Sequence, residues 1–407
     1  MKIAFVDNLP VGGGLSRFSY MLTRSLMEER PDIEIDYFAH ATNIQRTPEL
    51  RSMGGKVRLK TLEASRSPSF LRRGIRKAGL KVGIKPPQAD PVIREIEQRV
   101  KGYDLAYFPS AHMMVKPRLD VPVAGTIHDF NWKYFFGQQT FSTGFVREMD
   151  MAVVEWINDA FTACSSYDVV SEAKKLYPGL KKHPKVVHLA PVSFSKDVEE
   201  AAAQKVLDAL GIDHPYIIFP GNFYPHKNHL NLFTAFSILR QMPGHEELKL
   251  ILTGLNTDQI AYGIAERLGV RLLTKSSGES FFDVRGLGYQ PNSVIEALIK
   301  KARLLVSPSI YEAICTPGMD AWQMGTPTAI SDIAPFREHE QVWGVRSAYF
   351  DPMNPLKIAE TLHQYLGDYD RARENARISK ENIMGYGWDK VARGYLSLFE
   401  DAIKQSA

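Results

Sequence analysis

The sequence predicts an α/β protein built from two doubly wound domains, and three observations predict it. First, 407 residues exceed what one hydrophobic core comfortably accommodates, so two domains are expected. Second, short apolar runs ending in small or polar residues alternate with helical patterns, as in a mostly parallel sheet covered on both faces. Third, the alternation breaks at a polar, charged stretch between residues 190 and 215 and restarts near 216. An apolar fraction of 44% and a charged fraction of 24% suit a folded soluble chain, and a net charge of +4 is too small to indicate a nucleic-acid partner.

The elements follow in order. "KIAFVD" reads as a buried first strand; it is too short for a secretory apolar region and is broken at Pro10. Gly12, Gly13 and Gly14 make the turn into a helix, and "IEIDYFA", "YDLAYFP", "VPVAGTIHD" and "AFTACSS" are further strands. The second half repeats the architecture without repeating the sequence. "YIIFPG", "LKLILTG", "ARLLVSPS" and "PTAIS" read as strands with helices between them. The tail "WDKVARGYLSLFEDAI" has the spacing of an amphipathic helix. These readings divide the chain into residues 1–200, 201–385 and 386–407. No run reaches the length of a membrane span. Cys164 and Cys315 lack a metal spacing and suit a reducing compartment.

Residues 64–85 differ from the rest. Arg66, Arg72, Arg73, Arg76, Lys77, Lys81 and Lys85 are interleaved with Phe70, Leu71, Ile75, Leu80, Val82 and Ile84. Such a basic amphipathic segment suits an anionic membrane surface. A solvated surface helix or loop has the same composition, and both readings stay open here.

Candidate site residues collect at strand ends, where open α/β sheets bind ligands. Gly13 and Gly14 bring backbone close to a ligand at a helix N-terminus, although their spacing fits neither a dinucleotide fingerprint nor a P-loop. His128 and Asp129 stand at the end of "VPVAGTIHD", and His128 is placed to meet a sugar hydroxyl or to satisfy a backbone carbonyl. Cys164 has no local base and reads as packed. In "PGNFYPHKNH", Lys227 offers a flexible cation for a departing diphosphate and Asn222 an amide. His226 and His229 are further candidates without supporting metal spacing, and Asn228 is placed to cap the next helix. In "SIYEAICTPGMDAWQMGTP", Glu312 suits sugar hydroxyls. The amides of Cys315 and Thr316 suit phosphate ahead of a helix expected near Gly318, and Asp320 suits a ribose diol. Capping residues on a surface helix would look similar alone, but three candidate contacts at three strand ends favour a site.

Across nearly its whole length the chain resembles a retaining glycosyltransferase of family 4. The phrases are "GGLSR", "TIHD", "NFYPHKNH", "RGLGYQPNSVIEALIKKARLLVSPSIYE", "SAYFDPMNP" and "GYGWDKVA", in that order. The resemblance implies the GT-B fold: two Rossmann-like domains facing across a cleft, with a C-terminal helix returning to the first. It implies a donor on the second domain and an acceptor on the first, near the glycine loop. Glu312 then contacts the donor sugar, Asp320 the ribose, and Lys227 the diphosphate. The loop holding Tyr289, Gln290 and Pro291 forms part of the base pocket. The family usually carries Glu where this chain has Asp320. Many members have an arginine at the place of Asn222, and glycines where Ala313 and Cys315 stand.

The expected activity is transfer of a hexose from a nucleotide diphosphate sugar to a hydroxyl of a glycan or lipid-linked acceptor. GDP-mannose is the preferred donor, and the resemblance implies catalysis without a metal or other cofactor. The setting that fits is cytoplasmic, peripheral on the inner membrane face. A nucleotide-sugar epimerase and a nucleotide-sugar-binding scaffold without turnover are the alternatives.

Overall fold

A computed structural model describes residues 1–8, 14–46, 48–63, 90–135, 143–191, 198–262 and 283–406. Gly13 and the basic segment 64–85 lie outside the described residues.

The first domain contains β1 (Lys2–Asp7), α1 (Gly14–Glu29), β2 (Glu34–His40), α2 (Ala41–Arg46), β3 (Val57–Leu62) and α3 (Pro91–Arg99). It continues with β4 (Leu105–Phe108), β5 (Val123–Thr126), α4 (Thr143–Asp159), β6 (Phe161–Cys164), α5 (Tyr167–Leu176) and β7 (Lys185–Val186). Among the described residues these strands form one parallel sheet in the order β3-β2-β1-β4-β5-β6-β7. Ile3 pairs with Ile35 on one side and with Leu105 on the other.

Side chains alternate across this sheet, as strand geometry requires. Ile3 and Phe5 pack with Phe18 and Leu22 of α1, whereas Ala4 and Val6 pack with Val92 and Ile96 of α3 and with Trp156 of α4. Burial on both faces explains why "KIAFVD" is apolar at nearly every position.

The second domain contains α6 (Glu200–Leu210), β8 (Tyr216–Pro220), α7 (His229–Leu239), β9 (Lys249–Thr253), β10 (Val284–Gly286), α8 (Asn292–Lys301) and β11 (Leu304–Ser307). It ends with α9 (Thr316–Met324), β12 (Thr328–Ser331), α10 (Ala334–Trp343), β13 (Ala348–Phe350), α11 (Pro355–Gly367) and α12 (Tyr369–Ile383). Its described strands are again all parallel, in the order β10-β9-β8-β11-β12-β13. Ile217 and Phe219 meet Leu232, Phe233 and Leu362 on one face, while Tyr216 and Ile218 meet Leu207, Leu298 and Ile299 on the other. Leu207 thus places α6 in the second core.

The last helix, α13 (Trp388–Ser406), returns to the first domain. Val391, Tyr395 and Phe399 are buried beside Phe5, Phe18 and Tyr107. The Tyr395 hydroxyl lies 2.9 Å from Thr126 Oγ1, and Trp388 donates its indole N–H to the Pro191 carbonyl at 2.7 Å. Among the described residues no helix is long and apolar enough to cross a membrane.

Other contacts join the domains. Glu338 of α10 accepts the N–H groups of Tyr167 and Asp168 at 2.8 and 3.1 Å, so a carboxylate sits on the positive end of α5. His188 Nε2 lies 2.7 Å from the same carboxylate. Burial, the largest single influence, pushes the Glu338 carboxyl up, but those hydrogen bonds outweigh it and hold the carboxyl below its usual range.

Candidate active site

Strand order fixes where a site can form. In each sheet the connections reverse direction at one point: between β1 and β4 in the first domain, and between β8 and β11 in the second. A crevice opens beyond the carboxyl ends of strands at such a switch point. The chain after β1 leads into α1, and the chains after β8 and β11 carry Asn222, Lys227 and Glu312. β8 and β11 are adjacent, with Ile217 opposite Leu304, so Lys227 and Glu312 are brought together despite their separation in sequence.

These ends line one cleft of about 1100 Å³, open to solvent. Gly14, Asn222, Lys227, Tyr289, Glu312, Thr316 and Asp320 all line it, and Arg17 joins them from the first domain. The Lys227 ammonium is hydrogen-bonded and ion-paired with Glu312. Both side chains are largely buried, and pairing offsets the cost of removing two charges from water. Asp320 is 2% exposed and receives Arg17 at 3.0 Å on Oδ2. Asn222 Oδ1 accepts the Leu255 N–H at 2.9 Å, so its amide nitrogen is the donor it can still offer.

The floor beneath Asn222 is close-packed backbone. Gly254 has φ +122°, and a β-carbon there would lie 2.6 Å from the carbonyl carbon and oxygen of Gly221. Only glycine lets the ends of β8 and β9 approach this closely. Thr253, Gly254, Pro220, Ile295 and Ile299 complete this side of the cleft. The sequence reading placed "LKLILTG" as a strand without assigning its terminal Thr-Gly to the site. The signal was available, because it is another small polar ending beside the strand that carries Asn222.

The structure corrects several expectations. Helix α9 begins at Thr316 rather than near Gly318, with Cys315 at its N-cap. The Cys315 amide is not offered to the cleft: it donates to His339 Nε2 at 2.9 Å. Burial pushes His339 down to about 3, so the ring stays neutral and keeps the lone pair this bond needs. Cys315 is 1% exposed, and burial pushes its thiol up to about 12. The Gly318 N–H lies against the Cys315 sulfur, and Pro317 has no N–H. The orphan amide of the first turn nearest the cleft is therefore that of Thr316.

Asn228 does not cap α7 with its side chain; it adopts φ 60° and donates to the carbonyls of Pro308 and Pro352 at 2.9 and 2.7 Å. His229 is a core residue packed between Phe219, Phe223 and Phe233, and burial pushes it down to about 3. His226 stacks against Tyr224, lies tilted against Phe135, and is not part of the cleft lining.

His128 also lies outside the cleft lining. Its Nε2 donates to the Pro109 carbonyl at 2.7 Å, and its ring stands edge-on to Phe18 at 5.0 Å. Burial, reinforced by neighbouring His112, holds it well below the usual histidine range. The ring is neutral at pH 7, and its N–H is committed to the backbone. Cys164 is fully buried with its thiol pushed up to about 12 by burial, as a packed residue should be.

One contact was not foreseen. Tyr311, next to Glu312, reaches into the first domain. Its hydroxyl accepts the Phe130 N–H at 2.9 Å and donates to Glu172 at 2.7 Å, and its ring meets that of Tyr134. Ala313 packs in the core of the first domain, and Ile314 packs against it. The segment on which Glu312 rides is thereby anchored on both sides of the cleft.

Two parallel-sheet α/β domains opposed across a cleft at both switch points, with a crossover C-terminal helix, constitute the GT-B fold. HepE of Anabaena, solved in complex with UDP and glucose, superposes with a TM-score of 0.69 at 16% identity, covering 98% of this chain and 100% of that one. Residues 208–382 match the family model described as glycosyl transferases group 1. The D-inositol 3-phosphate glycosyltransferase of Salinispora arenicola is 24% identical over 420 aligned positions, spanning 96% of this chain and 88% of that protein. The O-antigen chain mannosyltransferase B of Escherichia coli is 31% identical over 163 residues, which are 40% of this chain and 39% of that protein.

Proposed function

We propose that the protein is a retaining glycosyltransferase that moves a hexose from a nucleotide diphosphate sugar, GDP-mannose by preference, to a hydroxyl of a glycan or lipid-linked oligosaccharide. The observation that carries this reading is the meeting of Lys227, Glu312, Thr316 and Asp320 in one cleft at the switch point of the second domain. The complex of HepE with UDP and glucose supports the donor class, and the name of the Escherichia coli relative supports mannose.

The chemistry follows from the residues. Lys227 and the Thr316 amide at the start of α9 meet the negative charge that grows on the diphosphate as the C1–O bond breaks. Glu312 orients the donor sugar. The acceptor hydroxyl attacks C1 from the face the diphosphate leaves, and its proton passes to the departing phosphate oxygen. No protein base is needed, and no metal is invoked. His128, neutral and tied to Pro109, contributes a fixed ring on the first-domain side rather than a proton. Tyr311 and Ile314 keep the Glu312 segment against the first domain, which helps exclude water.

Calorimetry with GDP, UDP, ADP and dTDP tests the reading. One nucleotide should bind with clear preference, and its sugar nucleotides should then support transfer in the presence of a chelator. Failure of all four to bind removes the donor site. Binding without transfer or slow hydrolysis favours a scaffold, and conversion of donor without acceptor favours an epimerase.

The setting we propose is cytoplasmic, with residues 64–85 docking on an anionic inner membrane face. Its motivation is the basic amphipathic composition of that segment. Replacing Arg72, Arg73, Arg76 and Lys77 by glutamine should reduce sedimentation with phosphatidylglycerol vesicles and leave nucleotide affinity unchanged. Equal sedimentation would refute the docking.

A further inference from the structure

The cleft contains one pairing that the donor reading does not require. Arg17 lies in the first turn of α1, in the first domain; Asp320 lies in α9, in the second. Arg17 meets Asp320 Oδ2 at 3.0 Å, with the two side chains 14% and 2% exposed. The other carboxylate oxygen, Oδ1, is buried and has no hydrogen-bond partner among the described residues. Both residues line the cleft.

A buried carboxylate oxygen without a partner is costly, and it persists where a ligand completes it. Fixing Oδ2 leaves the carboxylate one rotational setting, so Oδ1 is aimed rather than free to swing. Asp320 is one methylene shorter than glutamate, so its reach is set by backbone position and by the partner on Oδ2. An arginine whose guanidinium is held in place suits this task better than a mobile ammonium.

We propose that Arg17 is a positioning residue for recognition of the ribose. It holds Asp320 through Oδ2 so that Oδ1 accepts a hydrogen bond from a hydroxyl of the ribose diol of the nucleoside diphosphate. Because Arg17 rides on the first domain and Asp320 on the second, the ribose is read only when the domains are opposed. This inference rests on the donor reading above and adds to it the residue that sets its selectivity for ribose.

The test compares each protein's affinity for a nucleoside diphosphate with its affinity for the 2′,3′-dideoxy analogue of the same base. GDP, UDP or ADP is used, whichever the wild-type protein binds. The wild-type protein should prefer the ribonucleotide by about tenfold or more, the size of one hydrogen bond to a charged group. Arg17→Gln should bring the ratio to within about twofold of unity while changing affinity for the dideoxy analogue little, and Arg17→Lys should restore part of the ratio. Asp320→Asn provides a second reading of the same ratio should Arg17→Gln fail to fold. A merely structural role for Arg17 would weaken both ligands equally and leave the ratio intact, which would overturn the inference. A wild-type protein that binds no nucleoside diphosphate would instead overturn the donor reading, and this inference with it.

Discussion

Lys227 and Glu312 stand 85 residues apart and share one partly buried ion pair. The pair is asymmetric in what each member would do. In the reaction proposed above Lys227 would face the charge that develops on the leaving group, so Lys227→Ala should lower turnover by about a hundredfold or more and weaken nucleoside diphosphate binding. In the same proposal Glu312 would face the sugar, so Glu312→Gln should lower turnover by a similar factor, about a hundredfold, while nucleoside diphosphate affinity stays within a few-fold. Steady-state kinetics with calorimetry separates the two, and an unchanged turnover in Glu312→Gln would remove its assigned role. Both residues were legible in sequence because each follows an apolar run that ends in a turn. Their pairing was not, because it depends on which strands are neighbours. The Cys315 amide shows the opposite case. Its place before a helix suggested an anion contact, but His339, 24 residues away, already occupies that N–H.

At the scale of elements, the strands legible in the sequence are those in the middle of the sheets. β1, β2, β4, β5, β6, β8, β9, β11 and β12 were all visible as apolar runs. The strands that were missed, β3, β7, β10 and β13, are the edges of the two sheets. Edge strands are short or carry polar side chains, as in "VRLKTL", because one side faces water or a loop, and so their hydrophobic signal is weak. The loop ends are equally physical. Gly254 packs backbone on backbone against Gly221, so Gly254→Ala must move one loop or strain the other. Urea denaturation should show a loss on the order of 1–3 kcal/mol, with weaker nucleotide binding because Asn222 follows directly. A neutral effect on both would mean that the loops separate freely.

At the scale of the molecule, the domains are joined by Glu338 on the start of α5, by Tyr311 between Phe130 and Glu172, and by α13 in the first core. Several histidines are buried in these cores as neutral rings. Burial pushes His112 down to about 4 and His229 and His339 down to about 3, and it lowers His128 as well. The unfolded chain titrates near the ordinary histidine value of about 6.5. Below that pH it binds more protons than the folded protein does. Stability is therefore full above roughly pH 6.5 and falls as the pH drops toward the folded values, by up to about 1.4 kcal/mol per pH unit for each such proton. Melting temperatures measured from pH 7.5 to 5 should decline, and His229→Asn should flatten the decline. A melting temperature independent of pH across this range would show that the rings are solvated when folded.

The sequence by itself determined the class of fold and which strand ends carry the candidate site residues. These depend on local periodicity and on which residues a chain turn tolerates, and both are written in consecutive letters. Only the tertiary structure decided which ends share a cleft, that Arg17 reaches Asp320 while His226 and His128 stay outside the lining, and that Tyr311 and Ile314 tie the Glu312 segment to the opposite domain. Those facts depend on strand order and on the packing of two cores against each other, and contacts between residues hundreds of positions apart leave no periodic trace in a single chain.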